Sequence, residues 1–173
     1  MAFEIYIPEN LKFADYIAVL QTARTWADGY DRKDIERLSA ALASSVVVDY
    51  SLIVPHWGEK TYSGADFAKE WLSEEHLGLK PLATQHLIGL PYFKLVADEE
   101  IVVEWQQLVS HGRREGDVAH AVQEGVSETS DHRSYVEHRF TKVDGKWKIS
   151  KITPKLIYNT GNFMRIRRPE GEL

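Results

Sequence analysis

Five residues of this chain, Tyr30, Asp31, Tyr50, His86 and His111, have side chains suited to moving protons, and all but the first two are far apart in sequence. An imidazole titrates near neutral pH, so it can take a proton and give it back. A phenol donates a hydrogen bond without bringing a full charge, which suits it to an oxygen that becomes negative during a reaction. A carboxylate next to an imidazole fixes the ring and favours its charged form. Tyr50, His86, His111 and a further polar residue, Ser134, fall in phase with Val, Ile, Leu and Trp in segments that alternate as strands do. Alternation sends in-phase side chains to one side of a sheet. Polar groups in such company cost free energy unless they are partnered. The pattern predicts a buried polar pocket assembled from remote segments.

The elements that must position these residues follow from periodicity. Residues 11–30 carry Phe13, Tyr16, Ile17, Leu20, Ala23 and Ala27 at helical spacing, and a second helix is expected over residues 32–41 with Ile35 and Leu38 inward. Asp31 stands before it as an N-cap. Residues 46–53 read as a strand with Val46, Val48, Tyr50 and Leu52 on one side, and residues 64–73 as a helix opened by Ser63. Residues 84–92 place His86, Ile88 and Leu90 on one face. Residues 101–111 do the same for Ile101, Val103, Trp105, Val109 and His111. Residues 130–142 make another strand, and Asp144-Gly145 marks a tight hairpin into residues 147–153. The polar stretch 112–128 is expected to be a long mobile connection. Helices followed by a strand meander give an α+β domain, with N-terminal helices packed over the concave face of a curved antiparallel or mixed sheet.

Composition narrows the functions. A chain of 173 residues fits one domain, 1–173. The absence of Cys removes disulfides, thiolate metal sites and cysteine nucleophiles. A net charge of -5 argues against nucleic acid as a partner, and the short basic run Arg165-Ile166-Arg167-Arg168 reads as a solvated tail. No apolar stretch is long enough to span a membrane, and the first residues do not read as a secretory signal, so the cytoplasm is the expected location. His86, His111 and Asp31 could be metal ligands, but they lack any short metal-binding spacing; no metal is expected. Trp26, Trp105 and Trp147 read as core or pocket wall. His120, His132 and His138 read as surface or structural.

Taken together, Trp26-Ala27-Asp28-Gly29-Tyr30-Asp31, Val48-Asp49-Tyr50, Thr84-Gln85-His86-Leu87-Ile88-Gly89, His111 and Lys142-Val143-Asp144-Gly145-Lys146-Trp147-Lys148 resemble the scytalone dehydratase family of fungal polyketide and melanin pathways. The resemblance runs from about Phe13 to Arg165. It implies the cone-shaped α+β fold shared with nuclear transport factor two, a homotrimer, and a reaction without metal or organic cofactor in which a cyclic hydroxy-ketone loses water. It also implies roles. Tyr30 and Tyr50 would hold a water that polarises the substrate carbonyl, and His86 would take the alpha proton and help the hydroxyl leave. Asp31 would pair with His111, with Ser134 in the same network, and Trp26, Val136 and Phe163 would help line the substrate site.

Two departures bear on the substrate. The family has Asn two residues after its Ser, where this chain has Val136, and an alignment without a gap would put that Ser at Ser130 instead of Ser134. An isomerase, cyclase or pericyclase on the same scaffold is therefore an alternative, as is a binding module with no catalysis.

Overall fold

The alternation in the second half of the chain is realised as four long strands in sequence, and the helical periodicity of the first half as the layer that covers them. The computed structural model describes residues 3–114 and 125–167. In chain order the elements are α1 (Phe13–Asp31), α2 (Ile35–Ala41), β1 (Leu42–Asp49), β2 (Glu59–Ser63), α3 (Gly64–Trp71), β3 (Leu82–Val96), β4 (Glu100–Arg114), β5 (Val126–Val143), β6 (Lys146–Thr160) and α4 (Phe163–Arg167). The strands form one sheet in the order β2-β1-β6-β5-β4-β3. Every neighbouring pair is antiparallel except β1 with β6. No described helix is long and apolar enough to cross a membrane.

The sheet curves because its strands are bulged. Register shifts fall between Ile88 and Pro91 and between Phe93 and Leu95 in β3, and between Arg133 and Ser134 and between Arg139 and Phe140 where β5 meets β6. Each extra residue bends its strand and adds twist. The inner face carries Ile101, Val103, Trp105, Val136, Phe140, Trp147, Ile149 and Ile152, all buried under α1, α2 and α3. Asp144 and Gly145 both take left-handed φ, 48° and 74°, as a two-residue hairpin turn between right-twisted strands requires. Ser63 caps α3 by accepting a hydrogen bond from the Asp66 backbone N–H.

Several expectations need correction. In α1 Val19, Ala23, Trp26, Ala27 and Tyr30 are buried and Tyr16 and Leu20 pack against the core beside them, whereas Phe13 and Ile17 are exposed. Asp31 ends α1, and Asp34 is the N-cap of α2, accepting from the Arg37 backbone N–H at 2.9 Å. Ile35 is exposed. The strand expected over residues 46–53 is β1, which ends at Asp49 and leaves Leu52 exposed in a turn. Leu90 is 88% exposed, since the bulge before Pro91 breaks the alternation that placed it inward. The connection expected over residues 112–128 is shorter: β4 continues to Arg114 and β5 begins at Val126, while residues 115–124 and His120 lie outside the described residues. The edge strand β2, too polar to register as a strand in the sequence, completes the sheet. Within the basic run, Ile166 is buried against the sheet and Arg165 pairs with Glu128 at 2.8 Å, so this part of it is docked; Arg168 lies outside the described residues.

Two core features yield predictions. A Cβ on Gly29 would lie 2.7 Å from the Leu38 Cα, so α1 and α2 cross at a distance that only glycine permits. Gly29→Ala is expected to lower unfolding free energy by about 1–3 kcal/mol in urea titration, the usual cost of overpacking. His138, fully buried against Trp26 at 4.6 Å, makes no hydrogen bond through its ring among the described residues, and burial holds its pKa down to about 3. The unfolded chain takes a proton at this imidazole below about pH 6.5 and the folded protein does not, so stability falls as pH drops from there toward 3. Between pH 7 and pH 5, His138→Phe is expected to lose about 2 kcal/mol less stability than the parent. Equal losses in denaturant titrations would refute this origin.

Candidate active site

The C-terminal end of α1 delivers Trp26, Tyr30 and Asp31 to the inner face of β3 and β4. Residues 26 and 30 are one helical turn apart and point the same way. Tyr30 is buried and stacks on the His86 ring, with centroids 5.1 Å apart and planes at 27°. Trp26 meets both edge-on, at 5.3 Å from Tyr30 and 5.7 Å from His86. Asp31 then reaches β3. Its carboxylate accepts the His86 backbone N–H at 3.0 and 2.9 Å and lies 2.7 Å from His86 Nδ1.

That last contact changes the expected pairing. Asp31 pairs with His86 and not with His111, because the end of α1 meets β3 at its own backbone, one strand short of His111. With the carboxylate on Nδ1, the proton belongs there, and Nε2 is left with its lone pair. Both phenols stay protonated donors at neutral pH: burial, helped by the adjacent Tyr50 phenol, pushes Tyr30 well up, and burial raises Tyr50 likewise.

His111 is buried on β4, with Phe163 of α4 against its ring at 4.6 Å and His132 at 5.4 Å. Burial first, then the neighbouring His86 and His132 imidazoles and the Lys33 amine, hold its pKa down to about 3. The Ser130 backbone pulls slightly the other way without reaching hydrogen-bond geometry, and among the described residues neither ring nitrogen has a hydrogen-bond partner. Lys33, at the α1–α2 turn, donates to the Leu77 carbonyl at 2.6 Å, and burial lowers its own pKa to about 8.

The two serines both face inward but differ in employment. Ser130 lies opposite His111 in the ladder and donates to the Thr160 carbonyl at 2.9 Å. Ser134 lies opposite Gln107 and donates to its Oε1 at 3.1 Å, so its hydroxyl belongs to Gln107 and not to an Asp31–His111 network. Val136 is buried opposite Trp105. Tyr50 stacks on Trp71 at 5.0 Å and walls a cavity of about 280 Å³ with Trp57, Tyr62, Trp71 and His76; Tyr30, His86 and His111 do not line that cavity.

Three inward polar residues escaped the sequence reading. Gln107 is in phase with Trp105 and Val109, Thr84 with His86, and His132 with Ser130 and Ser134, so the same alternation that selected their neighbours would have found them. His132 is half-buried against Phe163 at 5.5 Å, and burial lowers its pKa. Among the described residues no three His, Asp or Glu side chains are grouped to hold a metal ion.

The chain matches the scytalone dehydratase family over residues 10–171. It is 53% identical over 171 residues to the dehydratase cfoI of Aspergillus candidus, covering 99% of both chains. It is 28% identical to the scytalone dehydratase of Pyricularia oryzae, covering 96% of this chain and 94% of the relative. Among solved structures, a hexachlorocyclohexane dehydrochlorinase, LinA type 2, superposes with a TM-score of 0.64 at 18% identity, over 91% of this chain and 95% of that one. The Kfla4162 protein of Kribbella flavida does so with a TM-score of 0.70 at 13% identity, over 90% and 98%. Those two likenesses speak for the fold, and the sequence relatives for the activity: the chain belongs to the scytalone dehydratase family and is a dehydratase of hydro-lyase type.

Proposed function

We propose that this enzyme removes water from a cyclic, polyketide-derived hydroxy-ketone of the scytalone kind by acid–base catalysis through an enolate, without metal or organic cofactor. The observation that carries the reading is the 2.7 Å contact between Asp31 and His86 Nδ1, which leaves Nε2 as the base. In this mechanism Nε2 takes a proton from the carbon alpha to the ketone, and the electrons of that C–H bond move onto the carbonyl oxygen. Donors from the Tyr30 and Tyr50 phenols, directly or through a water, hold the enolate oxygen. As the enolate collapses, a double bond forms between the alpha and beta carbons and the beta C–O bond breaks. The imidazolium gives its proton to the departing hydroxide, so one water leaves and His86 returns neutral. Asp31 is a positioning residue that stabilises the imidazolium, and Trp26 holds the rings of Tyr30 and His86 at fixed angles. A conjugated product lowers the demand on the enzyme, and positioning with proton transfer suffices.

A second reading, isomerisation or cyclisation in the same site, is favoured by Val136, which is apolar and buried where the resemblance leads one to expect an amide. A folded enzyme that leaves scytalone unchanged would favour it.

The resemblance also supports a homotrimer. The sheet's outer side carries the exposed apolar residues Leu87 and Ile157, which border a groove of about 360 Å³ with Leu108 and Tyr135. Burial of such a band on association is favourable.

With scytalone as substrate, His86→Ala is expected to lower kcat by about 10³-fold, within the usual range for a general base, while circular dichroism stays unchanged. Asp31→Asn should lower kcat by about 10²-fold with a smaller effect on KM. Full turnover by the His86 variant would refute the base assignment. Light scattering should give three times the 19.8 kDa chain mass, and Ile157→Glu should shift it toward one. A monomeric parent would overturn the assembly.

A further inference from the structure

His138 stands apart from the acid–base groups along the sheet, yet a single ring joins it to them. It lies on β5 opposite Val103 of β4, whereas His86 lies on β3 opposite Val109. The Trp26 indole spans the difference: its ring is 4.6 Å from His138, with planes at 76°, and 5.3 and 5.7 Å from Tyr30 and His86. Phe140 at 5.9 Å and Trp105 at 6.4 Å confine the His138 ring further. Both nitrogens of His138 and the indole nitrogen of Trp26 are buried without a hydrogen-bond partner among the described residues. Burial keeps this imidazole neutral. Phenylalanine would fill much the same space with no polar atoms to leave unmatched, and unmatched ones cost free energy. For stability alone an imidazole is a poor choice here.

We infer that His138 is a positioning residue: held edge-to-face against Trp26, it fixes the rotation of the indole and thereby the aim of the indole N–H at the Tyr30 phenol oxygen. The inference rests on the dehydratase reading, in which Tyr30 donates to the enolate oxygen. Trp26 is already felt at that phenol. Burial raises the Tyr30 pKa most and the Tyr50 phenol adds to it, while the Trp26 indole N–H opposes both from beside the oxygen, short of hydrogen-bond geometry. A slight turn of the indole decides whether that N–H reaches Tyr30. As charge gathers on the enolate it draws the phenol proton, and the phenol oxygen becomes a better acceptor for the indole, since hydrogen bonds in a chain polarise one another. An imidazole suits the supporting place because its polar N–H edge has a directional attraction for an indole face that a benzene ring lacks. His138 itself touches neither the substrate nor the reacting atoms.

The test is a double-mutant cycle on the full chain, read as turnover of scytalone at pH 7 with circular dichroism as the check on folding. His138→Phe keeps the shape and removes the nitrogens; it is expected to lower kcat about tenfold or more, the scale of a misaimed catalytic group, with KM within about twofold. Tyr30→Phe removes the oxygen through which His138 acts, so adding His138→Phe to it should change kcat by less than about twofold. Two losses that multiply would overturn the inference, because a residue that only supports the fold acts whether or not Tyr30 keeps its hydroxyl. His138→Gln retains a donor and an acceptor and should hold kcat within about threefold. The reverse order, with Phe tolerated and Gln not, would reduce His138 to a space filler and overturn its positioning role. If the parent leaves scytalone unchanged, the reading on which the inference rests fails first, before any change at His138, and the inference falls with it.

Discussion

The structure turns on one carboxylate. Asp31 takes three contacts from a single residue, His86, two from its backbone N–H and one from its ring. The backbone contacts fasten the end of α1 to β3, and the ring contact sets which nitrogen of His86 is free. A helix terminus is usually the loosest part of a helix, yet here it is the point of attachment to the sheet. The bonds that fix the fold locally also favour one tautomer of His86, the one with its proton on Nδ1. Gly29 serves the same end: by letting α2 pass at contact distance from α1, it lets the next two residues, Tyr30 and Asp31, sit beneath the sheet instead of above a gap.

Curvature is the second requirement. In the ladder His86 lies opposite Val109 and Val109 opposite His132, while His111 stands two residues further along β4 on the same face. The bulges in β3 and along the β5–β6 pair bend the strands, while His111 and His132, diagonal neighbours across the unshifted β4–β5 ladder, meet Phe163 of α4 with ring centroids within 5.5 Å of one another. The same bulges are why Leu90 points outward. A local irregularity useful for shaping the inner face reverses the side-chain alternation beyond it.

Much of this was legible in the amino-acid sequence, and what was not has a common cause. Alternation placed His86, His111 and Ser134 inward, Asp144-Gly145 gave its hairpin, and Ser63 its cap, since each depends on neighbours in sequence. The partner of Asp31 does not. Whether a carboxylate at a helix end meets the first or the second of two histidines depends on where the helix crosses the sheet, a relation between segments 55 residues apart. The buried stripe of α1 is a similar case: helical periodicity says that a stripe exists, but packing decides that Val19 and Trp26 belong to it and Phe13 and Ile17 do not. Thr84, Gln107 and His132 were passed over although their phase was visible, because Thr and Gln are ordinary strand residues and a third histidine carried no sign of its neighbours.

The ladder between β4 and β5 also bears on the length of chain that joins them. From Glu100 opposite Thr141 to Arg113 opposite Glu128 its pairing runs without a shift, and the first irregularity comes only at Arg114. His111 and Ser130 are therefore indexed from the closed end of the hairpin pair, through every rung back to Glu100, and owe nothing to the number of residues that join the strands beyond Val126. A change in the length of that connection would leave His111 and Ser130 at the same rungs of the ladder, so chain length there and the placing of these two side chains are independent of each other.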